Sequence, residues 1–370
     1  MSEVQERVRR VVERLVGAGD ERGVQVAVLR HGEPWVEVTA GVADPVTGRE
    51  VAPGTVFHNF SIGKSAASAV VHVCVERGAF GYDTRVADLW PEFAAYGKGA
   101  VTVRQVLTHT AGVPGLPADT TAADLCDWDE ICATVADLRP WWEPGTAVGY
   151  HAHTFGYIVG EVVRRATGRP VSRVLAEEVT EPLGVAGELY FGIPVAEHGR
   201  LAVLEDAPGM GEVPAGLPAN SPVRRASPPA LHPSAALGNR ADILAADIPA
   251  CGTTSARAMA RLFAALMGDV PGVELIAPER RAALTTVAAE GTDRVFGNES
   301  AWTLGFSPLL PGAEGVRPGA FGMGGAGGAF AFGDTATGVA FALTKNRLTP
   351  GFGAATEILG IVNEAAARKG

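Results

Sequence analysis

The feature that most constrains the fold of this chain is a pattern near both of its ends, where short β-rich runs are separated by turns. A long, mostly helical stretch lies between them, from about residue 61 to residue 284. The pattern predicts an α+β fold in which both chain ends form one antiparallel sheet with helices packed on it. The predicted strands cover residues 24–29, 35–39, 302–309, 329–332 and 339–345, and a final helix is predicted over residues 354–368.

The length of 370 residues is sufficient for two domains, and a hydrophobic content of 47% is sufficient for a large core. We expect residues 1–60 and 285–370 to form a sheet domain and residues 61–284 to form a mostly helical domain. The active site is expected in the cleft between these domains. The Pro- and Gly-rich segment 207–233 is long for a loop without secondary structure. A disordered linker is one interpretation, but both flanks fit one domain, so we favour a surface loop or a flap over the site.

Charge and the N-terminal residues argue against several classes of function. A net charge of −10 without a basic stripe disfavours nucleic-acid binding. Apolar residues at helical spacing among charged ones predict an amphipathic N-terminal helix ending at Gly17, not an export signal. No apolar run is long enough to span a bilayer, so we expect a cytoplasmic protein without membrane attachment. The four cysteines lack metal-binding spacing, and we expect no metal ion and no cofactor.

A Ser-x-x-Lys motif, Ser61 to Lys64, opens a predicted helix that continues to Gly78. Lys64 returns to the same helix face three residues after Ser61, so its amine can approach the serine hydroxyl. The rest of the helix is small and apolar on almost all sides, which predicts burial. Burial disfavours the charged form of a lysine, so Lys64 can accept the proton of Ser61 and activate it as a nucleophile.

The same motif has a simpler interpretation, a helix cap followed by a solvated lysine. The chain contains only four lysines, so accidental matches are scarcer than in an average protein. A solvated lysine would also be unusual within an otherwise apolar helix. Both observations favour the catalytic interpretation.

Two later segments contain residues suited to such a site. Pro144, Gly145 and Thr146 precede Tyr150, although a tyrosine taken alone is more often a packing residue. Residues 322–328 read Gly-Met-Gly-Gly-Ala-Gly-Gly and lead into a predicted strand. Glycines permit the close approach of another backbone or of a ligand, and a flexible loop is the alternative.

These motifs, together with the segment 107–112 (Leu-Thr-His-Thr-Ala-Gly), follow one another in the order found in serine β-lactamases. From about residue 23 to residue 363 the chain resembles the class C β-lactamases and the esterases and transacylases related to penicillin-binding proteins. The resemblance implies the β-lactamase/transpeptidase-like fold and an acylated Ser61. It also implies that Lys64 and Tyr150 share proton transfer.

The resemblance further implies an oxyanion hole formed by the backbone N–H groups of Ser61 and Ala326. His109 is implied to shape a turn after a helix. A Ser–His–Asp triad through His109 stays open as an alternative, although no sequence feature places this histidine beside Ser61.

Two positions depart from the β-lactamase pattern. Ala152 stands where β-lactamases carry an asparagine, and Met323 stands where they carry a lysine or histidine. Ala152 lacks the amide that holds the side chain of a lactam, and Met323 lacks the cation that pairs with a substrate carboxylate. Both changes argue against antibiotic hydrolysis. The residues predicted to contact substrate are His151, His153, Trp302, Met323, Gly324 and Gly325. An aromatic cleft wall, with core packing as the alternative, is predicted from Trp128, Trp141, Trp142, Phe155 and Trp302.

The sequence therefore predicts a serine hydrolase that cleaves a carboxylic ester of a small molecule through an acyl-enzyme on Ser61. The main alternative is a transacylase that moves the acyl group from an ester to an amine or alcohol in small-molecule biosynthesis. A β-lactamase or cell-wall peptidase, and a non-catalytic binding protein, are weaker alternatives. The predicted partner is a small ester or amide-type substrate, and nothing in the sequence indicates an oligomeric state.

Overall fold

The structure, a computed structural model, describes residues 2–211, 217–218 and 220–368. The β-strands are β1 Gly23–Arg30, β2 Glu33–Asp44, β3 Arg49–Glu50, β4 Phe57–His58, β5 Leu189–Tyr190, β6 Glu205–Asp206, β7 Thr253–Thr254, β8 Ala289–Thr292, β9 Glu299–Trp302, β10 Ala320–Gly324, β11 Phe330–Asp334, β12 Val339–Lys345 and β13 Arg347–Leu348. The α-helices are α1 Glu3–Ala18, α2 Gly63–Glu76, α3 Val86–Leu89, α4 Val103–Leu107, α5 Trp128–Ala136, α6 Thr154–Thr167, α7 Val171–Leu175, α8 Pro222–Ala226, α9 Ala235–Gly238, α10 Ala241–Ala245, α11 Ala256–Met267, α12 Ala282–Thr285 and α13 Gly353–Ala367.

The two chain ends form one antiparallel sheet of six strands in the order β10-β11-β12-β1-β2-β3, which confirms the predicted α+β architecture. The first and last parts of the chain meet at its centre, where β1 pairs with β12 from Val24 opposite Lys345 to Arg30 opposite Val339. All residues of β1 except Arg30 are buried, because helices cover both faces of the sheet. Strand β2 instead alternates between buried and exposed residues at its centre, as expected for a strand with one solvated face.

Helices α1 and α13 cover one face of the sheet and α11 covers the other. The valines at alternate positions of β1 pack with α1 and α13, whereas Ala27 and Leu29 face the core that contains α11. Ser2 caps α1 by accepting a hydrogen bond from the Gln5 N–H, and Gly19 ends the helix in a left-handed conformation. The predicted amphipathic helix at the N-terminus and the final helix are therefore confirmed, and the predicted strands over residues 24–29 and 35–39 lie within the antiparallel pair β1 and β2.

The predicted strand over residues 302–309 is not continuous, because β9 ends at Trp302 and the later residues form only isolated antiparallel bridges, Ser307 with Gly322 and Leu309 with Val316. Gly305 has a φ of +93°, a conformation outside the β region, and the chain bends there. Its carbonyl accepts a hydrogen bond from the Ser68 hydroxyl, which joins the bend to α2. Residues 303–309 therefore form a connection to the sheet that contacts the central helix.

The predicted division into two domains stays a prediction. Helix α11 lies within the range assigned to the helical domain, yet it packs against β1, β11 and β12. Helix α2 has thirteen consecutive buried residues, Gly63 to Val75, and packs against α6 and α7 of the helical part. Within the described residues, no helix combines the length and apolar character needed to cross a membrane.

Candidate active site

Ser61 and Lys64 lie at the start of the central helix, where one turn of 3₁₀-helix, Phe60–Ile62, leads into α2. The Lys64 Nζ lies 3.1 Å from the Ser61 Oγ, and the Lys64 side chain is fully buried. Phe60 has a φ of +47°, which residues other than glycine rarely adopt. Such backbone strain is common at functional sites and here turns the chain just before Ser61.

The second hydrogen bond of Lys64 goes to the main-chain carbonyl of Ala250, at 3.0 Å from Nζ. The helix start can approach this segment because Gly63 has no side chain. A Cβ at Gly63 would lie 2.0 Å from the carbonyl carbon of Cys251. Lys64 therefore has a serine hydroxyl and a carbonyl as hydrogen-bond partners, and no carboxylate among the described residues forms an ion pair with it.

Tyr150 lies beside this pair, with its ring centre 5.1 Å from the Lys64 Nζ. Its backbone N–H donates to the Asp293 carboxylate at 2.9 Å, and Asp293 also accepts from the N–H groups of Val295 and Phe296. The Tyr150 ring stacks on Trp302, with 5.8 Å between ring centres and an interplanar angle of 19°. These contacts fix the position of the tyrosine relative to Lys64.

His109 and His151 form a buried support behind Tyr150. The backbone N–H of His151 donates to the His109 Nδ1 at 3.1 Å. The ring centre of His109 lies 4.8 Å from that of Tyr150. His151 Nε2 accepts from the Val113 N–H, so its Nδ1 carries the proton that is donated to the Gly149 carbonyl. Burial lowers the pKa of His151 to about 4. None of the described hydrogen bonds joins His109 to Ser61, as a Ser–His–Asp triad would require.

His153 differs from His151 because it lines the cavity beside Ser61. Its Nε2 lies 3.4 Å from the Ser227 hydroxyl. Burial lowers the pKa of His153 to about 3. His153 is therefore neutral at physiological pH.

The glycine-rich segment at the end of β10 lies against the chain that leads to Ser61. A Cβ at Gly325 would lie 2.2 Å from the Asn59 carbonyl oxygen, so only glycine fits there. The neighbouring Ala326 lines the same cavity as Ser61, and its N–H donates no hydrogen bond to another described residue. The Thr349 N–H donates to the Gly327 carbonyl at 3.1 Å, which supports this segment from behind.

Ser61 opens into a cavity of about 480 Å³, within the range of small-molecule sites. Residues 209, 210, 223, 227 and 231–233 of the predicted loop or flap contribute to it, whereas residues 212–216 and 219 of that segment lie outside the described residues. No described residue on the cavity wall is Asp, Glu, Lys or Arg. The lining residues are His58, Phe60, Ser61, Leu125, Tyr150, Ala152, His153, Gly209, Met210, Val223, Ser227, Leu231, His232, Pro233, Leu237, Ile243, Ile248, Ala250, Cys251, Phe296, Gly324, Gly325, Ala326, Gly327, Gly328, Thr349, Pro350, Gly351 and Phe352.

The structure brings most of the residues predicted for the site together, but not all of them. Ser61, Tyr150, His153, Gly324, Gly325 and Ala326 line the cavity, and Lys64 is hydrogen-bonded to Ser61. Met323 and Trp302 instead form a buried cluster with Val148 behind Tyr150, and His151 lies in the histidine support. The five aromatic residues predicted for a cleft wall are absent from the described cavity lining, where Phe60, Phe296 and Phe352 occur instead.

Sequence reasoning missed Ala250 and Asp293, which hold Lys64 and Tyr150 in place. Every residue has a main-chain carbonyl, so nothing in the sequence distinguishes that of Ala250. Asp293 is 143 residues from Tyr150, and a single acidic residue carries no motif. The sequence feature that could have indicated the contact with Ala250 is Gly63, because its missing side chain allows the helix to approach Cys251.

Comparison with known proteins gives matches over nearly the whole chain. Residues 8–365 match the Beta-lactamase family. The chain is 33% identical over 353 residues to the Esterase/beta-lactamase LipL of Mycobacterium tuberculosis, covering 88% of this chain and 77% of that protein. The crystal structure of a family VIII carboxylesterase has a TM-score of 0.88 at 32% identity, with 98% of both chains covered.

A second solved structure, a penicillin-binding protein homolog from Caulobacter crescentus, has a TM-score of 0.86 at 35% identity, again covering 98% of both chains. The resemblance inferred from the sequence motifs is thus confirmed by the family match and by the superposition of complete folds. The chain has the β-lactamase/transpeptidase-like α+β fold and belongs to the Beta-lactamase family of enzymes.

Proposed function

We propose that this protein is a serine hydrolase that cleaves a carboxylic ester of a small molecule through an acyl-enzyme on Ser61. The observation that carries the proposal is the 3.1 Å contact between Ser61 Oγ and the buried Nζ of Lys64, at the wall of a mostly apolar cavity. A nucleophile within hydrogen-bond reach of a positioned base is the arrangement that covalent catalysis requires.

In the proposed first half-reaction, Lys64 takes the hydroxyl proton as Ser61 Oγ attacks the ester carbonyl carbon. The N–H groups of Ser61 and Ala326 hold the oxyanion of the tetrahedral intermediate. The C–O bond to the alcohol then breaks, and Tyr150 delivers a proton to the departing oxygen, with Lys64 returning a proton to Tyr150. In the second half-reaction Tyr150 and Lys64 take a proton from a water molecule as it attacks the acyl carbon. The bond between this carbon and Ser61 Oγ then breaks, the proton returns to Ser61, and the acid is released.

Esters are preferred over β-lactams as substrates for two reasons. The relatives with 98% coverage include a carboxylesterase, and the relative from Mycobacterium tuberculosis is named as both esterase and β-lactamase. In this chain residue 323 is a methionine, which has no charge to offer a substrate carboxylate and is buried with Val148 and Trp302. Ala152 lines the cavity without an amide group.

Transfer of the acyl group to an amine or alcohol uses the same residues as hydrolysis and remains the second candidate. The two reactions are distinguished by their products when an ester is supplied with and without candidate acceptors. The cytoplasmic location expected from the sequence stays a prediction.

The proposal is tested by steady-state hydrolysis of p-nitrophenyl butyrate with two serine variants. Ser61→Ala is expected to lower kcat by at least about a thousandfold, because nucleophile and base act as a unit. Ser65→Ala is the matched control, since Ser65 is buried on the same helix and its hydroxyl has no described hydrogen-bond partner. Comparable rates for Ser61→Ala and the wild type would overturn the proposal.

A further inference from the structure

The turn that contains Ala326, the proposed oxyanion donor, is built mostly of glycine. The Gly328 N–H donates to the Gly325 carbonyl at 3.1 Å, which closes a four-residue turn with Ala326 at its second position. Gly327 and Gly328 have φ values of +91° and +96°, a region that favours glycine. Because glycine leaves the backbone with wide conformational freedom, groups outside the turn are needed to fix the Ala326 N–H.

Thr349 lies directly behind this turn. Its backbone N–H donates to the Gly327 carbonyl at 3.1 Å, and its hydroxyl oxygen lies 3.5 Å from the same carbonyl oxygen. A Cβ at Gly328 would lie 3.2 Å from the Thr349 Oγ1 and 3.4 Å from the Lys345 Nζ. The threonine hydroxyl and the lysine amine are therefore the polar side-chain groups packed closest to Gly328.

Lys345 connects Thr349 to the centre of the six-stranded sheet. It is the last residue of β12, and its Nζ donates to the Thr349 hydroxyl at 2.7 Å. The same amine forms an ion pair with Glu21, and both side chains are buried, at 1% and 4% exposure. Glu21 lies just before β1, where Val24 pairs with Lys345. The two central strands thus fix both partners of the ion pair.

The contacts of this ion pair argue against a purely stabilising role. Moving two charges out of water costs free energy, which their attraction repays only when the remaining polar atoms are also paired. The second carboxylate oxygen of Glu21, Oε2, is buried and has no hydrogen-bond partner among the described residues. Apolar side chains of similar volume often stabilise such a place equally well. The pair is therefore better explained by the hydrogen bond that it directs at Thr349.

We propose that Lys345, fixed by Glu21, is a positioning residue for the proposed oxyanion hole. Its hydrogen bond to Thr349 holds the turn 325–328, so that the Ala326 N–H stays in place to receive the oxyanion. Lys345 is not among the residues described on the cavity wall, so its effect passes through Thr349 and the turn. This inference rests on the proposed function and adds a charged support that acts on the tetrahedral intermediate more than on the bound ester.

The first test compares Thr349→Val with Thr349→Ser. Valine keeps the shape and the backbone N–H of threonine but offers no oxygen to Lys345, whereas serine keeps the hydroxyl. Thr349→Val is expected to lower kcat/KM for p-nitrophenyl butyrate by at least about tenfold, with KM changed by less than about threefold. Thr349→Ser is expected to restore kcat/KM to within about threefold of the wild type.

The inhibition constant of butylboronic acid separates positioning from folding. The boron of this acid bonds to a serine oxygen and forms a tetrahedral adduct, which resembles the tetrahedral intermediate. In Thr349→Val the inhibition constant is expected to rise by about the factor by which kcat/KM falls. A smaller folded fraction would lower the measured rate but would leave this constant unchanged, because it does not depend on the concentration of active enzyme.

The second test removes the ion pair itself. Lys345→Met combined with Glu21→Gln leaves no unpaired buried charge, and it is expected to reproduce both effects of Thr349→Val. Arg317→Met combined with Asp334→Asn is the matched control. It removes an ion pair of 2.7 Å with a buried carboxylate, at the opposite end of β10 and β11 from the turn. The control is expected to keep kcat/KM and the inhibition constant within about threefold of the wild type.

An unchanged inhibition constant in Thr349→Val would overturn this inference, as would equal losses in Thr349→Val and Thr349→Ser. If the variant that lacks the Glu21–Lys345 pair does not fold, Thr349→Val decides, because it keeps the pair. Ser61→Ala tests the proposed function separately. An inactive Ser61→Ala beside a wild-type Thr349→Val would leave the proposed function standing without the positioning role, whereas a fully active Ser61→Ala would remove both.

Discussion

Lys64 is held by two neutral oxygen atoms, the hydroxyl of Ser61 and the carbonyl of Ala250. Lys345, another buried lysine, instead forms an ion pair with the buried carboxylate of Glu21. A carboxylate partner would compete with Ser61 for the hydrogen bonds of the Lys64 amine. The absence of a carboxylate partner among the described contacts of Lys64 leaves its amine to Ser61 and Ala250, as the proposed role of a base requires.

At the residue scale we predict that Lys64→Met lowers the rate of ester acylation by about a thousandfold or more, because the serine loses its proton acceptor. Rapid-mixing measurement of the first turnover with p-nitrophenyl butyrate reads this rate. Lys98→Met is the matched control, since Lys98 is also buried and its Nζ donates to the carbonyls of Ala95 and Leu138, away from the cavity. If the first turnover were equally slow in both variants, the slow rate of Lys64→Met would reflect disturbed folding and not the loss of a base.

At the scale of elements, the site is assembled where three backbone segments touch. The start of α2 meets the segment 250–252 at Gly63, and the end of β10 meets the residues before Ser61 at Gly325. Each contact is so close that a Cβ would overlap a main-chain atom of the other segment. These two glycines therefore set the distances between Ser61, Lys64 and the proposed oxyanion donor Ala326.

We predict that Gly325→Ala lowers kcat by about a hundredfold, because the added Cβ pushes the β10 end away from Asn59 and displaces the Ala326 N–H. Gly360→Ala in α13 is the matched control. A Cβ there meets no atom within 4 Å, and alanine in a helix interior is expected to stabilise the protein by about 0.5–1 kcal/mol. Unchanged kcat in Gly325→Ala, measured at saturating ester, would contradict this role for the close contact.

The elements that the sequence predicts well are those with local patterns. The strand over residues 339–345 and the helix opened by Ser61 depend on hydrophobic periodicity and on a four-residue motif, both of which act over short distances. Met323 is predicted to contact substrate because it stands at the lysine or histidine position of the C-terminal motif, and Trp302 because it lies near a motif segment. Both side chains instead pack in the buried cluster with Val148 behind Tyr150. The supports from Ala250 and Asp293 depend on long-range packing, which no single segment encodes.

At the scale of the whole molecule, the interior contains several neutral histidines. Burial lowers the pKa of His58, His72 and His151 to about 4 and that of His153 to about 3, from an ordinary value of 6.5. Between pH 6.5 and about 4 the unfolded chain binds protons that the folded chain does not bind. This proton binding stabilises the unfolded chain, so the free energy of unfolding is unaffected above pH 6.5 and falls as the pH drops toward the folded-state pKa values.

We predict that the free energy of unfolding, measured with urea, is nearly constant from pH 8 to pH 7 and falls steeply from pH 6.5 to pH 4.5. Each of these histidines contributes a slope of up to about 1.4 kcal/mol per pH unit. His153→Gln, which keeps a neutral polar side chain, is expected to make the slope smaller. A free energy that stays flat down to pH 4.5 would show that the buried histidines take up protons without unfolding.

The central claim is that Ser61 forms the covalent acyl-enzyme, and the measurement that tests it most directly is the site of covalent labelling. The native protein is treated with a serine-reactive alkyl phosphonate, and its intact mass and peptides are measured. We predict that the mass of one phosphonyl group is added to the peptide that contains Ser61 and that Ser61→Ala remains unlabelled. Labelling of another residue, or equal labelling of Ser61→Ala, would contradict the assignment of Ser61 as the nucleophile.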